Sequence, residues 1–266
     1  MPANDLPLLV EAARAAGDIA RKYSGPTARQ WDKADGAGPV TEADLAVNEV
    51  LEEKLRGARP GYGWLSEESE DDLSRLECER LFIVDPIDGT RSFVEGSKTW
   101  AHSIAVVENG VVTAGVVYLP LRDKLYSAGL GQGAFLNDAP LITPEHSDLG
   151  SATILAARPA MNAKHWRNNR VPPFQRSYRP SLAYRMALVG EGRFQGMVTL
   201  RPCWEWDIAA GDLICREAGA VSSDTSGAGL RFNNPSAKVS GLIAATRDVH
   251  DEVLNRLDLA PDAALP

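Results

Sequence analysis

The sequence contains little cysteine and histidine, with three cysteines and four histidines scattered among 266 residues. Three cysteines without paired spacing exclude a disulfide framework and a zinc ribbon, and they are typical of a reducing compartment. No Cys-x5-Arg loop is present and the histidines have no ligand spacing, so a cysteine or histidine phosphoenzyme has no support. The three cysteines and four histidines are therefore assigned no role.

Basic residues are the minority: 28 Lys and Arg stand against 36 Asp and Glu, a formal net charge of −8. This is the wrong sign for neutralising a phosphate backbone, so a nucleic acid polymer is not expected as a partner. No apolar run approaches the ~20 residues that span a bilayer, and residues 1–11 lack the features of a signal peptide. We therefore expect a soluble, cytoplasmic protein that does not bind membranes.

Two helices are predicted near the start of the chain. Apolar residues recur at helical spacing over residues 9–20, and the pattern Thr41-x-x-Asp44 is typical of a capping box before a second helix over residues 47–55. A connector rich in glycine and charge, residues 31–39, is expected between the two helices.

An antiparallel sheet is predicted to follow these helices. Residues 81–84 form a short buried run, and the apolar segments 100–107 and 111–119 flank Asn109-Gly110, a strong hairpin signal. In the second half strands and helices alternate, which favours a sheet between layers of helices. The predicted strands cover residues 152–157, 197–200, 220–223 and 242–246, and the predicted helices cover residues 181–190, 206–218 and 247–257.

Two acidic residues follow the buried run 81–84, at the point where a strand is expected to end. Asp85 and Asp88 are separated by Pro86, which fixes its own φ angle, and are followed by Gly89, which permits a tight turn. Such a turn can direct both carboxylates and the Ile87 carbonyl to one point, and oxygen ligands of this kind are those that Mg²⁺ prefers. The alternative, a solvated turn, is the commoner fate of such a fragment by itself.

Two more acidic residues have both a functional and an ordinary interpretation. Glu67 follows a possible short strand, and Asp207 stands at the start of a predicted helix, where the helix dipole alone favours a negative charge. Asp44 is likewise either a catalytic residue or the acidic member of a capping box, and both can hold together.

The combination of these segments resembles the inositol monophosphatase superfamily of magnesium-dependent, lithium-sensitive phosphomonoesterases. Five segments match the family in order and the resemblance extends over nearly the whole chain: residues 40–44 (VTEAD), 67–68 (EE), 83–93 (IVDPIDGTRSF), 131–137 (GQGAFLN) and 206–211 (WDIAAG).

The resemblance implies a role for each matching residue. Two or three Mg²⁺ ions would be bound by Glu67, Asp85, the Ile87 carbonyl, Asp88 and Asp207. Asp44 and Thr90 would orient and deprotonate the attacking water, with Glu67 counted among the catalytic residues. The phosphate ester would contact Gly89, Thr90, Ser181, Arg201 and Asp207.

The family also implies a fold. We expect an α/β protein built as an αβαβα sandwich, with an antiparallel sheet in the first half and a smaller mixed sheet in the second. Residues 1–145 would carry the two helices, that sheet and most metal ligands, and residues 146–266 would carry Asp207 and the substrate-recognition elements. Homodimers are common in the family, so a homodimer is compatible with the resemblance.

Three positions depart from the family pattern and bear on the substrate. Leu200 stands seven residues before Asp207, where inositol-specific members have a glutamate that binds sugar hydroxyls, and Arg201 next to it suits a second phosphate. Pro180 and Gly196 also replace the family's usual Gly and Asp. General similarity to bacterial CysQ-type members points to adenosine 3′,5′-bisphosphate, with loss of its 3′-phosphate, as the best substrate prediction.

Two further hypotheses stay open. One is an inositol 1-phosphatase or a broad phosphatase of sugar phosphates and histidinol phosphate, and the other is a protein-binding scaffold on the same fold without catalysis.

Two other features have open interpretations. Trp204 and Trp206 are core or cleft-wall residues or else a stacking platform, and a basic run is a solvated face or else a positive field for an anionic substrate. That run consists of Lys164, Arg167, Arg170, Arg176, Arg179 and Arg185.

Overall fold

Helices α1 (Leu6–Tyr23) and α2 (Glu42–Ala58) form where the apolar spacing predicts them. The structure is a computed structural model that describes residues 4–23, 29–32 and 38–258. The predicted capping box is present, since the Thr41 side chain accepts hydrogen bonds from the amides of Ala43 and Asp44 while the Asp44 carboxylate accepts one from the Thr41 amide. A cap of this kind is worth about 1 kcal/mol.

The predicted connector between the helices is partly regular structure. Strand β1 (Gln30–Asp32) pairs antiparallel with β2 (Pro39–Thr41), and residues 33–37 lie outside the described part of the chain. The predicted connector therefore contains a short antiparallel pair at its ends, which its composition did not indicate. Strand β2 leads directly into the cap of α2.

The first large sheet has seven strands in chain order. Its members are β3 (Gly63–Ser66), β4 (Arg80–Asp88), β5 (Ala101–Glu108), β6 (Val111–Leu119), β7 (Lys124–Gly129), β8 (Gly133–Leu136) and β9 (Ala139–Leu141). Asn109 and Gly110 have φ angles of 50° and 80°, as the predicted hairpin turn requires.

Strands β3 and β4 are parallel, whereas the other neighbouring pairs are antiparallel. The prediction of an antiparallel sheet is therefore wrong at this edge. Between β3 and β4 the chain passes through a short 3₁₀ helix, Ser74–Glu77, and returns to the same end of the sheet, as a parallel pair requires. Helix α3 (Thr90–Val94) follows β4.

The second half contains a smaller, mixed sheet of five strands in the order β11-β10-β12-β16-β14. Two of its pairs are parallel and two are antiparallel. The strands are β10 (Thr153–Ala156), β11 (Gln175–Ser177), β12 (Gly196–Thr199), β14 (Val221–Ser223) and β16 (Leu242–Ala245), with β13 (Cys203–Trp204) and β15 (Lys238–Val239) as a separate antiparallel pair.

The helices of the second half are α4 (Leu182–Gly190), α5 (Glu205–Glu217) and α6 (Arg247–Arg256). All three match predicted helices to within one residue at each end. The 3₁₀ helices Arg158–Met161, Ala163–His165 and Arg167–Asn169 were not predicted, and neither was β11.

Successive side chains along the strands point to opposite faces of each sheet, so each sheet packs between helices and the fold has five layers. In β4, Phe82 and Val84 pack with α1 and α2, whereas Leu81 and Ile83 face the core that contains α4 and α5. The second sheet packs one face on this middle helix layer and its other face, including Val198, on α6. The predicted αβαβα sandwich is confirmed. The division at residues 145 and 146 stays a prediction.

No helix in the described ranges is long and apolar enough to cross a membrane.

Candidate active site

The predicted metal-binding turn lies at the end of β4. The pairing of β4 with β5 is regular up to Asp85 and resumes at Asp88, with an irregularity between the two. Gly89 follows with a φ of 101°, a backbone conformation that residues other than glycine rarely adopt. Because of this break in the pairing, both acidic side chains reach the same side of the strand end.

Three carboxylates from distant parts of the chain converge there. Asp85, Asp88 and Asp207 each offer an oxygen atom, and these atoms lie within 4.8 Å of one another. Asp207 comes from the first turn of α5, whereas the other two belong to β4. Asp85 is 1% exposed, and its Oδ1 is buried without a hydrogen-bond partner among the described residues.

The electrostatics of this cluster favour a bound cation. Burial, followed by the charges of Glu67 and Asp88, raises the pKa of Asp85 well above its usual value. Burial and the same two neighbours also raise the pKa of Asp207. Three like charges this close together, two of them buried, repel one another unless protons or cations neutralise them. Buried oxygen donors with an unpaired lone pair fit Mg²⁺, which prefers hard oxygen ligands.

Asp88 is held by two hydrogen bonds. Its Oδ2 accepts from Ser181 Oγ and from the Ala183 amide, both at 2.6 Å. Burial raises the pKa of Asp88 to about 6, although both hydrogen bonds and the charge of Arg185 oppose the rise. The start of α4 therefore fixes the orientation of this carboxylate.

Glu67 and the Ile87 carbonyl complete the predicted ligand set. The Glu67 amide donates to Val84 O at 3.2 Å, which places the residue beside β4. Glu67 and Ile87 line the same cleft as the three aspartates. The structure thus brings together all five residues that the resemblance assigned to Mg²⁺.

Asp44 uses its two carboxylate oxygens for different contacts. Oδ2 accepts from the amide and the hydroxyl of Thr41, at 2.8 and 2.6 Å, whereas Oδ1 lies 3.3 Å from Thr90 Oγ1. Thr90 Oγ1 also lies 3.2 Å from Ile87 O. The capping and the catalytic interpretations of Asp44 are therefore compatible, since a different oxygen serves each.

The cleft beside these carboxylates has a volume of about 360 Å³. It extends from the predicted metal ligands, past Gly89 and Thr90, to Arg201. The remaining lining residues include Pro39, Tyr178, Pro180, Leu182, Trp204 and Trp206.

Ser181, a predicted substrate contact, lies behind Asp88 and not on the cleft wall. It is fully buried, and besides its bond to Asp88 its Oγ accepts from the Tyr184 amide at 2.9 Å as the N-cap of α4. Its hydroxyl is thus used to orient a carboxylate. The residue with a direct view of the cleft is the neighbouring Pro180.

The positions that depart from the family pattern are placed differently. Leu200 packs in the core beneath α6, and Arg201 is the residue that lines the cleft. A Cβ atom on Gly196 would approach the Ala245 Cβ to 2.9 Å, so the packing of β12 against β16 accounts for that glycine. Arg201 therefore supplies a positive charge on this wall of the cleft.

Within the basic run, Arg185 acts on the site. It is 5% exposed, its positive charge opposes the protonation of Asp88, and its guanidinium lies 4.5 Å from the centroid of the Tyr178 ring. Neither Arg185 nor any other member of the run is among the residues that line the cleft. The influence of the run on the site is therefore the charge of Arg185 on Asp88, and the positive field for a substrate stays a prediction.

Sequence reasoning missed Tyr178 as a cleft residue. It lies in the segment between β11 and α4, where no periodic pattern signals its placement. Trp204 and Trp206 lie on the cleft wall, as one of the two interpretations of these residues predicts.

A layered sandwich with converging carboxylates beside an open cleft is the arrangement of a metal-dependent phosphatase. Residues 3–258 match the family model described as the inositol monophosphatase family. The chain belongs to this family, whose members are metal-dependent phosphatases.

Two named relatives are similar to the chain over most of its length. The chain is 34% identical to an inositol-1-monophosphatase of Rhizobium meliloti, over 84% of this chain and 86% of the relative. It is also 34% identical to the Nus factor SuhB of Escherichia coli, over 94% and 98%.

Two solved structures have the same fold as this chain. The IMPase of Thermotoga maritima superposes with a TM-score of 0.81 at 29% identity, over 95% of this chain and 96% of the other. The suhB protein of Bartonella henselae superposes with a TM-score of 0.79 at 30% identity, over 95% and 98%.

Proposed function

We propose that this chain is a Mg²⁺-dependent, lithium-sensitive phosphomonoesterase that hydrolyses a small phosphate ester with water as the nucleophile. The observation that carries the proposal is the convergence of Asp85, Asp88 and Asp207, with an Asp85 oxygen that is buried and has no hydrogen-bond partner in the described part of the chain. Without bound cations, a cluster of this kind destabilises the folded protein through charge repulsion. A purely structural role does not require such a cluster.

The residues that would hold two or three Mg²⁺ ions are Glu67, Asp85, Ile87 through its carbonyl, Asp88 and Asp207. When bound, Mg²⁺ neutralises charge on the phosphate and lowers the pKa of water. Hydrolysis of phosphate monoesters is among the slowest uncatalysed reactions, and the barrier must fall by on the order of 20 kcal/mol. Several carboxylates are needed to hold the cations that would supply this charge neutralisation.

The water would be positioned by the pair Thr90 and Asp44. The Thr90 hydroxyl lies 3.3 Å from Asp44 Oδ1, so it can accept a proton from water while passing its own proton to that oxygen. Asp44 Oδ2 stays occupied by Thr41, which fixes the orientation of Oδ1. Gly89 and Thr90, at the start of α3, would contact the phosphate.

Arg201 favours a substrate that carries a second anionic group. Its guanidinium suits a phosphate, and adenosine 3′,5′-bisphosphate, losing its 3′-phosphate, is our first candidate. Inositol 1-phosphate is the second candidate, because a relative at 34% identity is named an inositol-1-monophosphatase. Sugar phosphates and histidinol phosphate would be substrates of a broader enzyme.

Phosphate release from a panel of esters tests the proposal. Purified protein would receive adenosine 3′,5′-bisphosphate, inositol 1-phosphate, fructose 1,6-bisphosphate and histidinol phosphate, with Mg²⁺, with EDTA, and with Mg²⁺ plus Li⁺. We expect Mg²⁺-dependent, Li⁺-inhibited release that is fastest with the first ester. A preference for inositol 1-phosphate would reverse the order of the candidates.

Matched variants identify the site responsible for any activity. Asp85→Asn removes one buried charge of the cluster, and Glu49→Gln removes one exposed charge from α2. We expect the first to abolish turnover and the second to leave it unchanged. Absence of turnover for every ester would instead support the scaffold hypothesis, under which the cluster serves a partner surface.

A further inference from the structure

The break in the pairing of β4 with β5 lies opposite a single histidine. Between the paired positions 85 and 88, strand β4 has two residues, Pro86 and Ile87, where β5 has only His102. An extra residue of this kind is a β-bulge, which redirects the side chains of the bulged strand. Pro86 has no amide hydrogen to donate to β5. The regular hydrogen bonding of the sheet therefore constrains this bulge less than the rest of β4.

His102 contacts the bulge through its side chain. The ring is fully buried, and its Nδ1 lies within hydrogen-bond distance of Pro86 O. A carbonyl oxygen can only accept, so Nδ1 carries the proton and donates it. The rings of Trp100 and Tyr118 pack around the imidazole, with centroids at 5.4 and 6.2 Å, and Nε2 has no partner among the described residues. The one hydrogen bond that the ring makes there goes to the middle of the turn that carries the two aspartates.

The next residue, Ser103, makes a second contact on the opposite face of β5. Ser103 is buried and pairs with Asp85 across the two strands, so both side chains lie on the same face of the sheet. Its Oγ donates to Trp206 O at 2.8 Å. Trp206 directly precedes Asp207, the acidic residue that α5 contributes to the cluster. Ser103 thus links the start of α5 to the strand that pairs with β4.

We propose that His102 and Ser103 are positioning residues of the metal site, which fix the β4 turn and the start of α5 relative to each other and so set the affinity for Mg²⁺. This inference rests on the proposed function, because the carboxylates that they position are the proposed ligands. Neither residue lines the cleft, so neither is a catalytic residue. Mg²⁺ requires nearly octahedral geometry, and its affinity therefore depends on the groups that hold its ligands in place.

Calorimetric titration with Mg²⁺ alone tests His102 through two variants that separate the hydrogen bond from the packing. His102→Phe keeps an aromatic ring without a donor, whereas His102→Asn places an Nδ2 donor near the position of Nδ1 and leaves a space where the ring was. We expect His102→Phe to weaken Mg²⁺ binding by about ten-fold and His102→Asn to bind within about two-fold of the wild type, although the Asn variant has a lowered Tm. A merely structural role predicts instead that Mg²⁺ affinity follows Tm.

Ser103 is tested in the same titration. Ser103→Ala removes the hydroxyl that holds Trp206, and we expect it to weaken Mg²⁺ binding by about ten-fold. Val107→Ala is its matched control, because Val107 is fully buried on the same face of β5, and Val106→Ala is the equivalent control for His102 on the other face. Both controls should lower Tm and leave Mg²⁺ affinity unchanged.

Kinetics with the ester that the wild type hydrolyses fastest give a second readout. In His102→Phe and Ser103→Ala the Mg²⁺ concentration for half-maximal rate should rise about ten-fold, while KM for the ester at saturating Mg²⁺ changes less than about two-fold. Wild-type Mg²⁺ affinity in either variant, or equal losses of affinity in His102→Asn and His102→Phe, would overturn the inference.

The titration also separates this inference from the proposed function. If the wild type binds Mg²⁺ but hydrolyses no ester, the phosphatase proposal fails, and the order of Mg²⁺ affinities among the variants still supports or overturns the positioning role. A wild type that binds no Mg²⁺ overturns both.

Discussion

Removing one charge from the carboxylate cluster should stabilise the metal-free protein while destroying its activity. Asp85 is the most informative position, because its Oδ1 is buried without a partner among the described residues and its neighbours are negatively charged. Asp85→Asn keeps the shape of the side chain. The variant thus changes charge with little change in packing.

The magnitude follows from the geometry. The three ligand oxygens lie within 4.8 Å of one another, and two unit charges at that distance repel by roughly 3 kcal/mol at an effective dielectric constant of about 20. For a chain of this size 1 kcal/mol corresponds to roughly 2 °C in Tm, so Asp85→Asn should raise the Tm of the metal-free protein by about 6 °C near pH 8.

The sign of the pH dependence is fixed by the direction of the pKa shift. A raised pKa in the folded state means that the folded protein binds protons that the unfolded chain has already released. Stability is therefore lost as pH rises above about 3.8, the unfolded value, and through the higher folded value. The stability advantage of Asp85→Asn should grow from pH 4 to pH 8.

The assay is thermal unfolding in EDTA and in millimolar Mg²⁺ across this pH range, with Glu49→Gln as the control for a lost exposed charge. Mg²⁺ should raise the Tm of the wild type and of the control but not that of Asp85→Asn. The reasoning would be refuted by an advantage that stays constant with pH, or by an equal response of Asp85→Asn and wild type to Mg²⁺.

Three other predictions concern the supports of the site. Ser181→Ala removes one of two hydrogen bonds to Asp88 and the cap of α4, so Tm should fall by an amount equivalent to about 1–2 kcal/mol and Mg²⁺ affinity should weaken, as a metal titration would measure. Thr41→Val should cost about 1 kcal/mol in urea unfolding and also reduce kcat, because Asp44 loses two of its contacts to Thr41; unchanged kcat would contradict the shared role. Burial lowers the pKa of His102 from 6.5 to about 4, so the neutral imidazole stabilises the fold fully above pH 6.5 and less as the pH falls toward 4. As the pH falls from 6.5 to 4, the free energy of unfolding of His102→Phe should therefore rise relative to that of the wild type by up to about 3 kcal/mol.

The sequence predicted the elements whose pattern is local. The capping box at Thr41, the Asn109-Gly110 hairpin and helix α5 are all confirmed, since each depends on residues close in the chain. The parallel pairing of β3 with β4 was not predictable in this way. It depends on where a connection of irregular structure returns to the sheet, and no short-range pattern encodes that.

The candidate site was predicted through the family resemblance more than through spacing. Asp207 lies far along the chain from Asp85, and periodicity alone gives no reason to bring the two within 4.8 Å. Ser181 shows the limit of the method, because a matched position indicated a substrate contact while the fold placed the hydroxyl behind Asp88. Tyr178 shows the opposite limit, since its exposure in the cleft comes from tertiary packing.

Strand β4 lies between two hydrophobic cores, and this position affects which metal ion can bind at its end. Side chains on both faces of that strand are embedded, so the turn that carries Asp85 and Asp88 has little room to widen. Ca²⁺ needs oxygen ligands at about 2.3–2.6 Å and more of them than Mg²⁺, which needs about 2.0–2.1 Å. A stiff strand end of this kind discriminates by ionic radius, and calcium should therefore compete for the carboxylates without sustaining turnover.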